Sequence, residues 1–405
     1  MAIITRWLVV SWITCLVPRL AVVFVTSAAT DYTYFQNPAI SLNSYWYPLY
    51  KIIAATLWMV SCHILPLYIF FHVCLHALIG PLVYFLTQQL KLSNKIAWLS
   101  VAGVAFLPYY VSMASQQPQA GIVVTLFAGM IVSFMHWHTH GYKLKSGLIF
   151  ALLSFLIIGI RSNTLILVCF FYGFGIWHFL KSPLSRQTWL KKMIPLFLSG
   201  FCLAGLLGLL SLKMYRDTGH FKPFPPLSGY NLYLSNNALV PYYAKRYYVS
   251  GYLEELEHDH GLPANIRRET DPYIRDRLLA KIAFTYMYTH PIQTLANFGW
   301  KTIRYWDIRL DDANNTSFLK NLLYTLPYTI YVLLALVGSA ILYKQNRFAF
   351  LIVQSSIILF WLPHVLYQGV IRNRMTTEFL LLILASVAVC FFLKPIKNTW
   401  LEKIK

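Results

Sequence analysis

Long apolar blocks constrain this chain more than any other feature. A helix that crosses a hydrocarbon core of about 30 Å needs about 20 mostly apolar residues, and only 12% of the residues are charged, roughly half the share typical of soluble domains. Ten blocks reach or approach the required length: 7–28, 65–86, 96–113, 119–136, 147–160, 163–180, 194–213, 321–343, 348–367 and 376–393. We expect the fifth to extend past Arg161. The sequence therefore predicts an all-α polytopic membrane protein with about 10 transmembrane helices.

Basic residues are distributed unevenly among the segments that join these blocks. Cytoplasmic segments of membrane proteins retain Lys and Arg. With the amino terminus inside, the cytoplasmic segments contain a single acid, Glu402, and the following basic residues: Arg6, Lys91, Lys95, Lys143, Lys145, Lys181, Arg186, Lys191, Lys192, Lys344, Arg347, Lys394, Lys397, Lys403 and Lys405. We therefore expect a multi-pass protein of the plasma (inner) membrane with both termini cytoplasmic.

The formal net charge of +20 follows from this topology. The basic residues are spread over many short loops, whereas nucleic-acid binding needs a concentrated patch. We therefore exclude nucleic acid as a partner. HWHTH, residues 136–140, places three His at alternate positions, but it falls in a predicted cytoplasmic loop, and we interpret it as a solvated loop and not as a metal site.

Two outer segments divide the chain into an N-terminal membrane module (1–213), a loop region (214–320) and C-terminal helices with a short tail (321–405). In the first outer loop, 29–64, KIIAATLWMV is too short to span and predicts an interfacial helix. The loop region carries a near-balanced mixture of charges. DPYIRDRLLAKIAFTYMYTH and IQTLANFGWKTIRYWDI predict two amphipathic helices, the first with Ile274, Leu278, Ile282 and Thr285 on its apolar face, the second near the membrane interface. Pro291 breaks or restarts the helix between them.

Asp31, in TSAATDYTYFQNP, is the only acidic residue before Arg216. An ordinary surface charge is one interpretation. Because acids are otherwise excluded here and the membrane is adjacent, a functional carboxylate is the stronger one. It would act as a general base on an acceptor hydroxyl or amine, or help to hold a divalent cation. No cofactor is otherwise indicated, and the metal stays open.

MYRDTGHFKPFPPLSGYNLYLSNN, residues 214–237, places several phenol and amide groups close together: Tyr230, Asn231, Asn236 and Asn237. Such groups hydrogen-bond sugars, although Asn and Gly also build ordinary turns. The segment therefore offers candidate sugar- or acceptor-binding residues.

These pieces together resemble the GT-C superfamily of membrane glycosyltransferases, which take a sugar from a polyprenyl-phosphate carrier and include protein O-mannosyltransferases and lipid A aminoarabinose transferases. RDTGHF and GYNLYLSNN resemble the opening of that family's large outer loop. TDYTYFQNP with WYPLYKIIAATL resembles its first outer loop. GIRSNTLIL, AFTYMYTHPIQTLANFGWKTIRYW and RNRMTTEFLLLILAS follow in the family's order. The resemblance covers most of the chain, and it is carried by motif order rather than by any single motif.

The resemblance implies roles for particular residues. Asp31 falls at the catalytic acid, although Tyr32 stands where family members often have a second acid. Arg372 and Arg374 would bind the carrier phosphate through paired donors, or anchor the interface, or pair with Glu378. Glu378 itself would pair with Arg374 or take part in catalysis. Further phosphate-binding candidates are Lys301 and Arg304, three apart on one helical face, and Arg161, for which snorkelling to the interface is the alternative. Further sugar- or acceptor-binding candidates are Tyr34 and His290.

The function implied is an inverting glycosyltransferase at the outer face. Its partners would be a polyprenyl-phosphate-linked sugar, membrane lipid, and an acceptor that is a glycolipid, polymer or protein. A polysaccharide polymerase or ligase shares the lipid-linked donor and stays an alternative. A lipid or solute transporter would have similar spans, but the sequence shows neither repeated halves nor broken helices.

Overall fold

The computed structural model describes residues 2–27, 48–108, 110–111, 118–181, 186–237, 240, 264–307, 318–367 and 371–393. Every regular element in these ranges is helical. The elements before the large loop are α1 (Ala2–Ser27), α2 (Pro48–Val60), α3 (Leu65–Ala77), α4 (Ile79–Gln89), α5 (Asn94–Phe106), α6 (Pro118–Thr139), α7 (Leu144–Ile160), a 3-10 turn (Ser162–Thr164), α8 (Leu165–Lys181) and α9 (Arg186–Thr218). The remaining elements are α10 (Ser228–Ser235), α11 (Ala264–Arg267), α12 (Pro272–Thr289), α13 (Pro291–Tyr305), α14 (Phe318–Gln345), α15 (Arg347–Leu366) and α16 (Ile371–Phe392).

Eight segments of the described chain are long and apolar enough to cross a membrane: Thr5–Val23, Leu65–Gln89, Ala120–Thr139, Ser162–Lys181, Trp189–Thr218, Thr325–Gln345, Arg347–Leu366 and Asn373–Phe392. The third and fifth predicted blocks are also helices, α5 and α7, but they contain only 13 and 17 residues. The all-α membrane class is confirmed, and the count of ten spans stays a prediction.

The predicted extension of the fifth span beyond Arg161 is wrong. The α7 helix ends at Ile160, and Arg161 leaves helical geometry with φ −138° and ψ 87°. A new turn begins there, because the Thr164 hydroxyl donates to the Arg161 carbonyl at 2.7 Å. The Ser-Asn-Thr run that follows supplies side chains that compete with helical hydrogen bonds.

Helices α6 and α16 form the centre of the bundle. In each span 78% of the residues are buried, against 22–50% in the six others, as expected of helices that are apolar on every face. The α14 helix packs on α16 so closely that a Cβ on Gly338 would lie 1.8 Å from the Leu384 carbonyl oxygen. Glycine is therefore required at this crossing.

One end of the bundle gathers the turns predicted to be cytoplasmic. The Asn346 amide, between α14 and α15, donates to the Leu90 carbonyl at 3.0 Å, and the Thr139 hydroxyl donates to Gln89 at 2.9 Å. HWHTH lies here, but it ends α6 and does not form a solvated loop. Trp137 is fully buried, and His138 is half-buried with Nδ1 2.6 Å from the Tyr142 hydroxyl. The prediction of a solvated loop was wrong because these rings fill the α6–α8 interface.

The loop-region helices pack at the opposite end. Both amphipathic predictions correspond to helices, α12 and α13, and Pro291 restarts the chain between them. On α12, Leu278 and Ile282 are half-buried against the cluster that includes α10, whereas Ile274 and Thr285 are exposed. The predicted apolar face is therefore only partly right, because the buried residues of this helix are Tyr273, Leu279 and Ala283. The predicted helix within 51–60 is α2. The α2 helix packs on α7, and α13 brings the loop region against α15 and α16.

Candidate functional site

Arg374 and Glu378 form an ion pair buried one turn inside α16. The Arg374 Nε lies 2.9 Å from Glu378 Oε1, and both side chains are almost fully buried. Nη1 donates to the carbonyls of Tyr305 at 3.1 Å and Asp307 at 2.7 Å. Because the last carbonyls of a helix have no partner within it, the guanidinium caps α13. It also stacks 3.8 Å from the ring centroid of Tyr328. This single residue ties α16 to α13 and α14.

The second carboxylate oxygen of Glu378 is buried without a hydrogen-bond partner among the described residues. Tyr331 lies beside this carboxylate, and its hydroxyl is likewise buried without a hydrogen-bond partner among the described residues. Tyr305 and Tyr328 flank the same pair, and burial raises the pKa of Tyr305, which keeps its hydroxyl protonated. A carboxylate oxygen surrounded by phenol groups is a candidate contact for a polar ligand, since buried polar groups are normally satisfied.

A second polar pair joins the end of α7 to α15 and α16. The Arg161 Nη1 donates to Asn373 Oδ1 at 3.0 Å. Beside it, Asn163 Nδ2 lies 2.9 Å from His364 Nε2, and His364 Nδ1 lies 2.7 Å from the Phe360 carbonyl. A carbonyl can only accept, so Nδ1 donates to Phe360. This hydrogen bond and the Asn163 amide fix the orientation of the imidazole.

Lys301, on α13, is buried against the carboxyl end of α15. Its Nζ donates to Asn236 Oδ1 at 2.9 Å and to the Leu366 carbonyl at 3.1 Å. The Asn236 amide donates in turn to the carbonyls of Leu232 at 2.9 Å and Leu366 at 3.0 Å. Burial lowers the pKa of Lys301 to about 7, because none of these acceptors is charged. The predicted phosphate ligand Lys301 and the predicted sugar ligand Asn236 thus contact each other.

The other predicted residues of the loop region lie around this contact. The Asn237 amide donates to the carbonyls of Tyr233 and Leu234. The Tyr230 backbone N–H donates to Asp276 at 2.8 Å, and Asn231 is half-buried on the same helix, α10. Arg304 is half-buried on α13. His290 is exposed between α12 and α13, stacked on Tyr286.

Asp31 and Tyr34 lie outside the residues that the structure describes. Arg372 is in the first turn of α16, and its side chain is likewise outside the description. The next two residues, Asn373 and Arg374, contact Arg161 and Glu378 respectively. The predicted acid is therefore not placed relative to the basic residues.

Arg19, within the first span, was missed by the sequence reasoning. It is fully buried, and its guanidinium donates to the carbonyls of Cys15 at 2.8 Å and Val104 at 2.9 Å and to His76 Nδ1 at 3.3 Å. All three acceptors are neutral. A charged residue inside an apolar block was the available signal, since such residues are expensive in a membrane and usually functional.

Tyr110 connects this arginine to the ion pair. Its hydroxyl donates to the Met375 carbonyl of α16 at 2.9 Å, and its ring lies 6.1 Å from that of His76. Of the described side chains that are fully or almost fully buried, the charged ones are Arg19, Lys301, Arg374 and Glu378. Among the described residues, two buried arginines and Lys301, whose pKa of about 7 leaves it partly charged near neutral pH, thus oppose one carboxylate, with Arg161 half-buried beside them. The interior at this end is positive.

Within the described ranges, no cluster of three His, Cys, Asp or Glu side chains could hold a metal ion. The molecule is thus defined as an all-α polytopic membrane protein with a buried cationic cluster at one end of its bundle. No model of a known protein family matches the chain, and no curated protein matches it.

Proposed function

We propose that this protein is an integral membrane glycosyltransferase that moves a sugar from a polyprenyl-phosphate carrier to an acceptor at the outer face of the membrane. The observation that carries the proposal is the excess of buried basic over buried acidic side chains in the part of the chain that the structure describes, Arg19, Lys301 and Arg374 against Glu378. Burying an unpaired charge is costly. A site that keeps such an excess at the end of membrane spans suits a lipid-linked anion such as a carrier phosphate.

In the proposed reaction, Asp31 accepts the proton of the acceptor hydroxyl or amine. The acceptor atom attacks the anomeric carbon, and the bond from that carbon to the phosphate oxygen breaks. The leaving polyprenyl phosphate takes the bonding electrons, and the cations stabilise its additional charge. Attack from the face opposite the leaving group inverts the configuration.

The orientation belongs to the same proposal. We infer that the end carrying Lys91, Lys143 and Lys344 is cytoplasmic and that the cationic cluster is extracytoplasmic in the plasma (inner) membrane. The gathering of the predicted cytoplasmic turns at one end, through Asn346 and Leu90, supports a common side for them.

Mass spectrometry of surface glycolipids and glycoproteins from cells with and without the gene tests the activity. We expect a product lighter by one sugar residue when the gene is absent. Complementation with Asp31→Asn should leave the product missing at normal protein levels. Asp217→Asn, which changes an exposed carboxylate on α9, is the matched control and should restore it. Normal product with Asp31→Asn would refute the assigned base, and an unchanged glycan profile without the gene would refute the activity.

Chain length of the missing unit separates the alternatives. Loss of a single sugar supports the transferase, and loss of a long repeat polymer supports a polymerase or ligase. A transporter finds little support in the helices, since α3 and α4 meet at Leu78 with helical φ −60° and ψ −14°. The backbone of the second span therefore stays helical at this junction and lacks the unwound backbone of transporter sites.

A further inference from the structure

The α13 helix buries polar side chains and exposes apolar ones, the opposite of an amphipathic helix on a soluble protein. Its buried face carries Thr294, Asn297 and Lys301. Large apolar side chains lie on its exposed side, with Ile292 80% exposed and Leu295 71% exposed. A helix turns about 100° per residue, which places the two sets on opposite faces. In contact with water alone, the apolar face would be the one buried.

The polar face holds α13 against the ends of membrane-spanning helices. Lys301 donates to the Leu366 carbonyl, where α15 ends, and the Asn297 amide lies 3.3 Å from the Asn237 carbonyl. The carboxyl end of α13 is capped by Arg374 near the start of α16. The helix therefore lies at the level where two spans leave the apolar region.

Other exposed apolar side chains continue this surface. Ile303, just over two turns along α13 from Leu295, is 61% exposed. Leu362 is exposed on α15, one turn before the Leu366 that contacts Lys301. On the preceding helix, α12, Phe284 and Tyr288 are four residues apart and both exposed. Aromatic residues are enriched where a bilayer meets water.

We propose that α13 lies in the boundary between lipid headgroups and acyl chains, with Ile292, Leu295 and Ile303 in contact with lipid. The partner is the bilayer surface itself, because the exposed face adjoins the lipid-facing side of a span. The lipid-contacting face and the Lys301 face belong to one 15-residue helix. The bilayer therefore helps to set the position of Lys301, and the inference does not depend on the proposed function.

Spin-label accessibility tests this placement in the full-length protein. Single-cysteine variants, with the six native cysteines replaced, are made at Ile292 and Leu295, labelled, and reconstituted in phosphatidylcholine nanodiscs. Power saturation then compares collisions with oxygen, which concentrates in lipid, and with a water-soluble nickel chelate. The lipid standard is Phe201→Cys on α9, where the native side chain is 79% exposed within a span. The water standard is Arg268→Cys, at an exposed position beside α11.

We expect labels at 292 and 295 to match the lipid standard, with oxygen collisions dominant. Labels that match the water standard would overturn the proposal. Labels shielded from both reagents, with dipolar broadening between chains, would identify a second copy as the occupant and would also overturn it. A monodisperse elution profile for each variant confirms that the labelled protein is folded.

Discussion

Arg374 and Lys301 each stabilise carbonyl oxygens that a helix end leaves without a partner. Arg374 caps α13 through Tyr305, and Lys301 caps α15 through Leu366. Backbone carbonyls therefore hold both side chains in place, together with the Asn236 amide oxygen for Lys301 and the Glu378 carboxylate for Arg374. Residues fixed in this way are available as preorganised charges without loss of side-chain entropy on binding.

The ion pair makes a quantitative prediction. Glu378→Gln removes the negative charge and leaves Arg374 buried without compensation, which should destabilise the protein by about 3–5 kcal/mol. Thermal unfolding in detergent, followed by tryptophan fluorescence, measures the loss. The double variant Arg374→Met with Glu378→Leu should be more stable than Glu378→Gln, because neither charge stays buried. If Glu378→Gln unfolds like the wild type, the pair is not a structural requirement.

Lys301 predicts a pH dependence of stability. The unfolded chain keeps this proton up to about pH 10.4, whereas the folded protein releases it near pH 7, because burial lowers the pKa to about 7. Between these values the unfolded state binds more protons, so Lys301 makes folding more favourable as pH rises through this window. Below pH 7 both states are protonated, and Lys301 contributes no slope.

Lys301→Met should remove that dependence. Each pKa unit corresponds to ~1.4 kcal/mol, so the wild type should gain a few kcal/mol over the variant's own pH response between pH 7 and pH 10. Unfolding midpoints collected at half-unit pH intervals for both proteins provide the comparison. Parallel curves would show that Lys301 keeps an ordinary pKa in the folded state.

Among elements, the closest approach is that of α14 to α16. Gly338→Ala would place a methyl carbon within 1.8 Å of a backbone oxygen, so the two helices would have to separate. We expect a loss of about 1–3 kcal/mol or more. The control is Gly205→Ala on α9, where a Cβ meets nothing within 4 Å. That variant should be neutral or more stable by about 0.5–1 kcal/mol, and equal unfolding temperatures for the two would contradict the packing.

The positions of most helices could be predicted from the pattern of apolar residues. Which face of a helix is buried could not be predicted in this way. Hydropathy located eight spans because each contains a long apolar run. On α13 the usual rule would have put Leu295 inside and Lys301 outside, and the structure has the reverse. The rule assumes water on the exposed side. The exposed side of α13 is proposed to face a bilayer, and hydrogen-bonding partners for its polar side lie at the ends of α15 and α16. The polar face of α13 is therefore the one that packs against the protein.

For the whole molecule, the proposed topology can be tested with two exposed positions. Cys62 follows α2 at the end proposed to face outward, and Thr139 ends α6 at the opposite end. A membrane-impermeant maleimide should label a variant with Cys62 alone in right-side-out vesicles. It should label Thr139→Cys, in a background without other cysteines, only in inverted vesicles. The reverse pattern would show that the termini face outward.

The site was only partly accessible from sequence. Arg374, Lys301, Arg161 and Asn236 were singled out as basic or amide residues near the predicted outer surface, and the structure brings them to one end of the bundle. Arg19 carried one local signal, a charge inside an apolar block, but its partners come from α3 and α5, far away along the chain. Long-range contacts of this kind leave no local pattern.

The pairing on α16 also bears on how such chains can diverge. Arg374 and Glu378 carry opposite charges one helical turn apart, and both side chains are buried. A lineage that replaces only one of them leaves the charge of the other buried without its partner. Related sequences should therefore keep both residues or exchange both together, and a descendant that has lost only one should carry a new neighbour that compensates for it.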